Sequence, residues 1–121
     1  MDKDKIIQCI TNFIKGGDES NLEKLDKALH TAYRNVQSGF FAEKGLFIID
    51  KKKYLSLIEA NTFGGIPRSM EIISLDINGD IASAKTKLES ETMIFHSLIT
   101  LIKDEGSWYI MGNYPHFEYK N

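Results

Sequence analysis

The chain has 121 residues, 42% of them hydrophobic and 26% charged, which is the composition of a folded domain and not of a disordered segment. Fifteen Lys and Arg against seventeen Asp and Glu leave a net charge of −2. That balance supplies no basic field for a phosphate backbone, and it argues against a nucleic-acid partner. The lone Cys9 excludes an internal disulfide, and no apolar stretch approaches the roughly 20 residues that cross a bilayer. Length points to one domain over 1–121. The polar interruptions Gln8, Thr11 and Asn12 deny the N-terminal segment the apolar core of a signal peptide, so a cytoplasmic, non-membrane protein is expected.

Ile6, Ile7, Cys9, Ile10, Phe13 and Ile14 recur at three- and four-residue spacing and predict a first amphipathic helix that ends at Gly16-Gly17. Ser20-Asn21-Leu22-Glu23 has the form of a capping box and predicts a second helix burying Leu22, Leu25, Ala28 and Leu29. From Thr31 to Asp50 the helical period gives way to β-formers. Tyr33, Val36, Phe40-Phe41 and Leu46 to Ile49, broken by Ser38-Gly39 and Gly45, read as two short strands with a turn. Asp50 is a candidate N-cap for a third helix over 51–60 that buries Tyr54, Leu57 and Ile58, with a Gly64-Gly65 loop behind it. The run Lys51-Lys52-Lys53 follows this cap without interleaved aromatics and reads as a solvated helix end.

After Arg68 the period becomes two. Ile73, Leu75 and Ile77 alternate with Ser74, Asp76 and Asn78; Asn78-Gly79 signals a type I′ hairpin. Ala82, Ala84, Thr86 and Leu88 then oppose Ser83, Lys85 and Lys87. Two further strands, over 92–103 and from Ser107 to about Tyr119, are joined at Asp104-Glu105-Gly106, so the sheet ends in a four-stranded meander. The strand over 92–103 is apolar on both faces, with Ile94, Leu98 and Ile102 on one and Met93, Phe95, Ile99 and Leu101 on the other. Both faces therefore require cover. Helices supply one; the other is covered by a second copy of the chain or by the sheet curling on itself.

This order of elements, with Ala28-Leu29-His30 closing the second helix and Gly106-Ser107-Trp108-Tyr109-Ile110 opening the last strand, resembles the nuclear-transport-factor-2-like superfamily. Within it the chain looks most like the branch named "putative lumazine-binding", with SnoaL-like cyclases and ketosteroid isomerases as more distant relatives. The resemblance implies an α+β, cystatin-like cone: two to three N-terminal helices packed on a curved, mainly antiparallel sheet around a cavity, and a homodimer through the outer sheet face. It does not imply an activity, because the fold serves enzymes and plain binding proteins alike. The family's frequent His-Pro-Asp-Ala is here His30-Thr31-Ala32-Tyr33. Where ketosteroid isomerases place a tyrosine and two aspartates, this chain has Phe13, no carboxylate between Asp26 and Glu43, and His96-Ser97-Leu98. Isomerase chemistry of that kind is not expected.

The candidate site residues follow from the cone. His96 shares a strand face with Ile94, Leu98 and Thr100, and would be a general acid or base if that face lines the cavity; a structural histidine is the plainer reading. Tyr33 and Tyr54 would offer phenols to the lining or serve simply as core. Asn113, Tyr114 and His116 sit near Pro115, where the last strand loses a ladder donor at an edge or pocket mouth. Trp108 and Cys9 read as packing residues. His30, His96 and His116 are too scattered for a metal, and no phosphate loop or nucleophile elbow is present, so no metal or cofactor is expected. Three functions remain open: a pocket for a small, mostly apolar molecule; an isomerase, dehydratase or cyclase using His96 with a tyrosine; or an interaction module acting through its surface.

Overall fold

The computed structural model describes residues 2–40 and 43–120. Helix α1 (Asp2–Asp18) buries Ile6, Cys9, Ile10, Phe13 and Ile14 along the expected stripe. It does not stop at Gly16-Gly17 but runs through both. Gly16 is there for contact: a Cβ on it would lie 2.9 Å from Leu25 Cγ, so its bare backbone lets the next helix pack close. That helix, α2 (Leu22–Ala28), is capped by Asn21 and not by Ser20. Ser20 has φ +52°, outside the extended region an N-cap requires, whereas Asn21 has φ −92° and its Oδ1 accepts from Lys24 N at 3.0 Å. Leu29, assigned from sequence to the helix, is its C-cap and opens strand β1 (Leu29–Phe40).

β1 is one long strand, paired antiparallel with β2 (Glu43–Asp50). Ser38-Gly39 is a bulge in that ladder, not a turn; Phe41, read from sequence as strand, lies outside the described residues. Asp50 caps α3 (Lys51–Glu59) by accepting from Lys53 N at 2.8 Å, and α3 buries Tyr54, Leu57 and Ile58 as expected. The loop after it is fastened to the end of α1, where Gly65 N donates to Gly17 O at 2.9 Å.

The meander β3 (Ser69–Asn78), β4 (Ile81–Glu89), β5 (Met93–Asp104) and β6 (Ser107–Tyr119) completes a six-stranded sheet in the order β2-β1-β6-β5-β4-β3. Among the described residues only the β1–β6 pair is parallel. The first hairpin turns on Gly79-Asp80, because Asn78 pairs with Ile81, and only Gly79 has positive φ (+59°), which fits a type II′ turn. The type I′ form occurs at the β5–β6 hairpin, where Glu105 and Gly106 have φ +50° and +83°. In β3 a register shift between Ile72 and Ser74 puts Ile73 out of phase with Leu75, and Ile73 is exposed. Bulges in β1, β3 and at the β5–β6 register shift bend and twist the strands, and the sheet curves around the helices. This is the α+β, cystatin-like architecture expected.

The core lies between the helices and the concave face, and includes Ile10, Phe13, Leu25, Tyr33, Ile58, Leu88, Ile99 and Ile110. The convex face is not covered from within the chain. Leu46, Ile48, Leu98 and Tyr114 remain exposed there, so curling does not supply the cover.

Candidate functional site

A cavity of about 250 Å³ opens between the end of α1, the loop before β3 and the concave face of the sheet. Its apolar wall is mostly aromatic: Phe13 from α1, Tyr54 from α3, Phe63 from the loop, Phe95 from β5 and Phe117 from β6. These rings also hold one another, with Phe13 and Tyr54 centroids 6.1 Å apart and Tyr54 and Phe63 5.9 Å apart. The space is smaller than the pockets that take drug-sized ligands, which begin at roughly 300 Å³, so it suits a one- or two-ring molecule.

Two polar groupings interrupt this wall. The first is a chain of amides. Gln37 Nε2 donates to Gly39 O at 3.0 Å; Asn35 Nδ2 donates to Gln37 Oε1 at 2.6 Å; Asn113 Nδ2 donates to Asn35 Oδ1 at 3.0 Å. Asn35 and Gln37 are buried, and Asn113 Oδ1 is shielded from solvent without a partner. β1 and β6 build this chain because their parallel register sets Asn35 beside Asn113.

The second grouping is an ion pair. Arg68 Nε donates to Asp18 Oδ1 at 2.6 Å and Arg68 N to Asp18 Oδ2 at 3.2 Å, with both side chains largely buried. The guanidinium also lies 5.0 Å over the Phe95 ring. Arg68 lines the cavity with its charge already neutralised.

Burial pushes the Tyr54 phenol up to about 12, with Arg68 working against the shift and Asp18 adding to it. Tyr33 is raised well above its usual value, chiefly by burial and secondarily by Tyr54; Asn113 lies close enough to oppose the shift, yet Tyr33 Oη makes no hydrogen bond. Both phenols stay protonated at neutral pH and so are not bases there. Cys9 is raised to about 11 by burial, and its Sγ faces the Trp108 carbonyl at 3.5 Å, so it is an inert packing thiol. Trp108 is buried, and its Nε1 donates to Asp2 Oδ1 at 3.2 Å.

Of the residues singled out from sequence, Tyr54 and Asn113 line the cavity. Tyr33 lies behind the lining, fully buried and edge-on to Phe13 and Tyr54. His96 does not face the cavity. It is on the convex face, opposite His116 on β6, with Nε2 3.5 Å from Glu118 Oε1, and Tyr114 is on that same outer face. The cavity face of β5 is instead Met93, Phe95 and Ser97. His116 is also exposed, and His30 pairs with Asp104 at 3.0 Å far from either histidine in sequence. Among the described residues no group of three or more His, Cys, Asp or Glu is placed to hold a metal ion.

Sequence reasoning missed Asn35, Gln37 and the Asp18–Arg68 pair. A signal for the first two was present: Tyr33, Asn35 and Gln37 alternate on one strand face, and a polar pair in phase with a buried tyrosine marks a buried network. For His96 the signal lay next door, since Lys85 and Lys87 of β4 pair with Leu98 and His96 and mark that face as outer.

The family model described as "Putative lumazine-binding" matches residues 1–114, and the chain belongs to that family. Its fold is that of the nuclear-transport-factor-2-like proteins. An NTF2-like protein of unknown function from Shewanella baltica superposes with a TM-score of 0.84 at 19% identity, covering 97% of this chain and 94% of that one. A protein of unknown function with a cystatin-like fold from Nostoc punctiforme gives 0.77 at 17% identity over 97% and 91%. A conserved protein from Planctomyces limnophilus gives 0.80 at 12% identity over 98% of each chain. None of the curated proteins matches the sequence significantly. No helix among the described residues is long and apolar enough to cross a membrane.

Proposed function

We propose that this chain is a small-molecule binding protein whose cavity takes a compact, largely apolar ring compound, and that it works without catalysis. The observation that carries this reading is the wall itself: aromatic side chains from α1, α3, β5, β6 and the loop before β3 surround a buried amide chain, while no imidazole or carboxylate is among the described lining residues. A proton-transfer enzyme needs a group that changes charge near neutral pH within reach of substrate. The lining phenol of Tyr54, pushed up to about 12, is not such a base, and His96 lies on the other side of the sheet. The family's lumazine label is compatible with a flat heterocycle of this size.

The reading includes a homodimer. Ile48, Leu98 and Tyr114 are exposed on the convex face, and apolar side chains so placed are the usual seat of a partner. One domain over 1–121, acting in the cytoplasm on a small molecule and not on nucleic acid or a membrane, completes it.

The test is thermal unfolding with a panel of neutral one- and two-ring aromatics, lumazine among them. A ligand at 100 times its Kd raises stability by about 2.7 kcal/mol, a shift of several degrees. Ser97→Trp, which fills the cavity, should abolish the shift. A panel that moves nothing, or a shift that survives Ser97→Trp, sinks the proposal.

A further inference from the structure

The two glycines near the end of α1 differ in what a side chain would meet. Gly16 makes room for Leu25, and no contact of that kind requires Gly17. Gly17 does not serve as a left-handed cap, because its φ is not positive, and within a helix glycine is disfavoured against alanine. A Cβ on it would meet two atoms within 4 Å among the described residues, Arg68 Nη2 at 3.6 Å and Tyr54 Oη at 3.7 Å. Both distances are ordinary contact, so packing does not forbid a side chain here. Gly17, Arg68 and Tyr54 all line the cavity, and the missing side chain leaves a gap bordered by two polar groups. Asp18 takes Arg68 Nε through Oδ1 and the Arg68 backbone N–H through Oδ2, which leaves both Nη groups without a hydrogen bond among the described residues; the Tyr54 hydroxyl has none either. Tyr33 Oη and Asn113 Oδ1 are unpartnered but sealed from solvent, whereas the Tyr54 hydroxyl and the Nη groups are open.

We infer, resting on the binding role proposed above, that the ligand is an uncharged ring compound whose carbonyl oxygen sits in the gap beside Gly17 and is held by Arg68 Nη2 and the Tyr54 hydroxyl. A guanidinium has donors and no acceptor, so the ligand atom it meets must accept. The Tyr54 hydroxyl, protonated at neutral pH, turns its hydrogen to the same oxygen. Asp18 holds the arginine from the far side at 2.6 Å, so its free edge is already in place, 5.0 Å over the Phe95 ring, before a ligand arrives. The charge of the ligand follows from the same pair. The Asp18 carboxylate already balances Arg68, and a ligand carboxylate would bring an uncompensated negative charge among aromatic rings. The rest of the ring compound lies against Phe13, Phe63 and Phe95.

The test measures binding of 1-indanone, indane and benzoate to wild type, Tyr54→Phe and Gly17→Ala by calorimetry. Tyr54→Phe keeps the ring and removes the hydroxyl. Gly17→Ala puts a methyl group in the gap and, because alanine suits a helix, should unfold no earlier than wild type. Each variant is expected to lower the affinity of 1-indanone relative to indane about tenfold, the size of one buried hydrogen bond. A general change in the cavity would weaken both compounds and leave that ratio alone. Infrared spectra of wild type give an independent readout: the carbonyl stretch of bound 1-indanone should lie below its value in hexane and move back toward it in Tyr54→Phe. A ratio unchanged in either variant, or a stretch that keeps its hexane value in wild type, overturns the carbonyl contact while leaving the cavity a binding site. Benzoate binding more tightly than 1-indanone overturns the uncharged class. Failure of all three probes to bind wild type at millimolar concentration overturns the binding role and the inference with it.

Discussion

The two faces of the sheet are built from nearly the same residue types and do opposite things. On β5 the concave side carries Phe95, Ser97, Ile99 and Leu101, and the convex side carries His96, Leu98 and Ile102. Ile99 is fully buried, while Leu98 beside it is 40% exposed. Hydrophobicity alone does not separate them; what stands on each face does. Helix α1 closes the concave side and turns its aromatics into a cavity wall, whereas the convex side carries exposed leucine and isoleucine together with the His96, His116 and Glu118 group. Stability is therefore stored on one face, and the other leaves its apolar side chains exposed.

The largest effect is expected where the concave face meets α1. Phe13 is 2% exposed and edge-on to Tyr33, so Phe13→Ala opens a void in both core and cavity wall and should cost about 3–5 kcal/mol in denaturant unfolding. The same truncation of Leu98 on the convex face should cost far less. If the two losses are equal, the contrast between faces is wrong.

Alkaline pH probes the buried phenols of the concave side. Tyr54 has a folded pKa of about 12 against an ordinary value of 10, and Tyr33 is raised in the same direction, both chiefly by burial. The folded state then holds a proton that the unfolded state releases. This contribution is fully present below pH 10 and, for Tyr54, is lost as pH rises toward 12, at about 1.4 kcal/mol per pH unit. Tyr54→Phe should flatten that part of the profile, and an unchanged slope would show that the phenol is solvated.

Much of this was legible from the chain, and what was not had a definite physical reason. The α1 stripe, the Asp50 cap, the faces of β4 and the two-sided β5 all follow from local spacing, which the structure keeps. The α2 cap went to Asn21 because Ser20 adopts φ +52°, a backbone state that tight packing of the α1–α2 turn dictates and residue type does not. Ile73 fell out of phase because a bulge adds a residue to one strand only, and period-two counting assumes none. The site was harder still. Asn35 and Asn113 meet through a parallel pairing between strands 78 residues apart, and Asp18 meets Arg68 across 50 residues, so neither partner announces the other locally.

A smaller effect should come from the junction that frames the cavity. Gly64 has φ +75°, and a Cβ there would strike the carbonyl oxygen of Gly17. Gly64→Ala is strained twice over and should lose about 1–3 kcal/mol while pushing the loop from α1. Chemical shifts at Thr62 and Phe63, together with weakened probe binding, would report the displacement. A variant as stable as wild type would mean that the loop gives way freely.

The smallest expected effect on folding is on the convex face, and there it becomes informative. Leu98 and Tyr114 are directly opposed on β5 and β6, about two-fifths exposed at 40% and 42%. In a monomer, Leu98→Ser with Tyr114→Ser removes little buried surface and should change stability by no more than about 0.5 kcal/mol. In a dimer sealed through this face, the same pair of changes puts two hydroxyls in place of apolar contacts at the centre of the interface. Sedimentation should then show the wild type at twice the chain mass and the double variant at one. Because the cavity lies on the opposite side of the sheet, ring compounds should bind the dissociated variant with unchanged affinity. A variant that remains dimeric places the contact elsewhere; one that dissociates and also loses binding makes the two faces parts of one site.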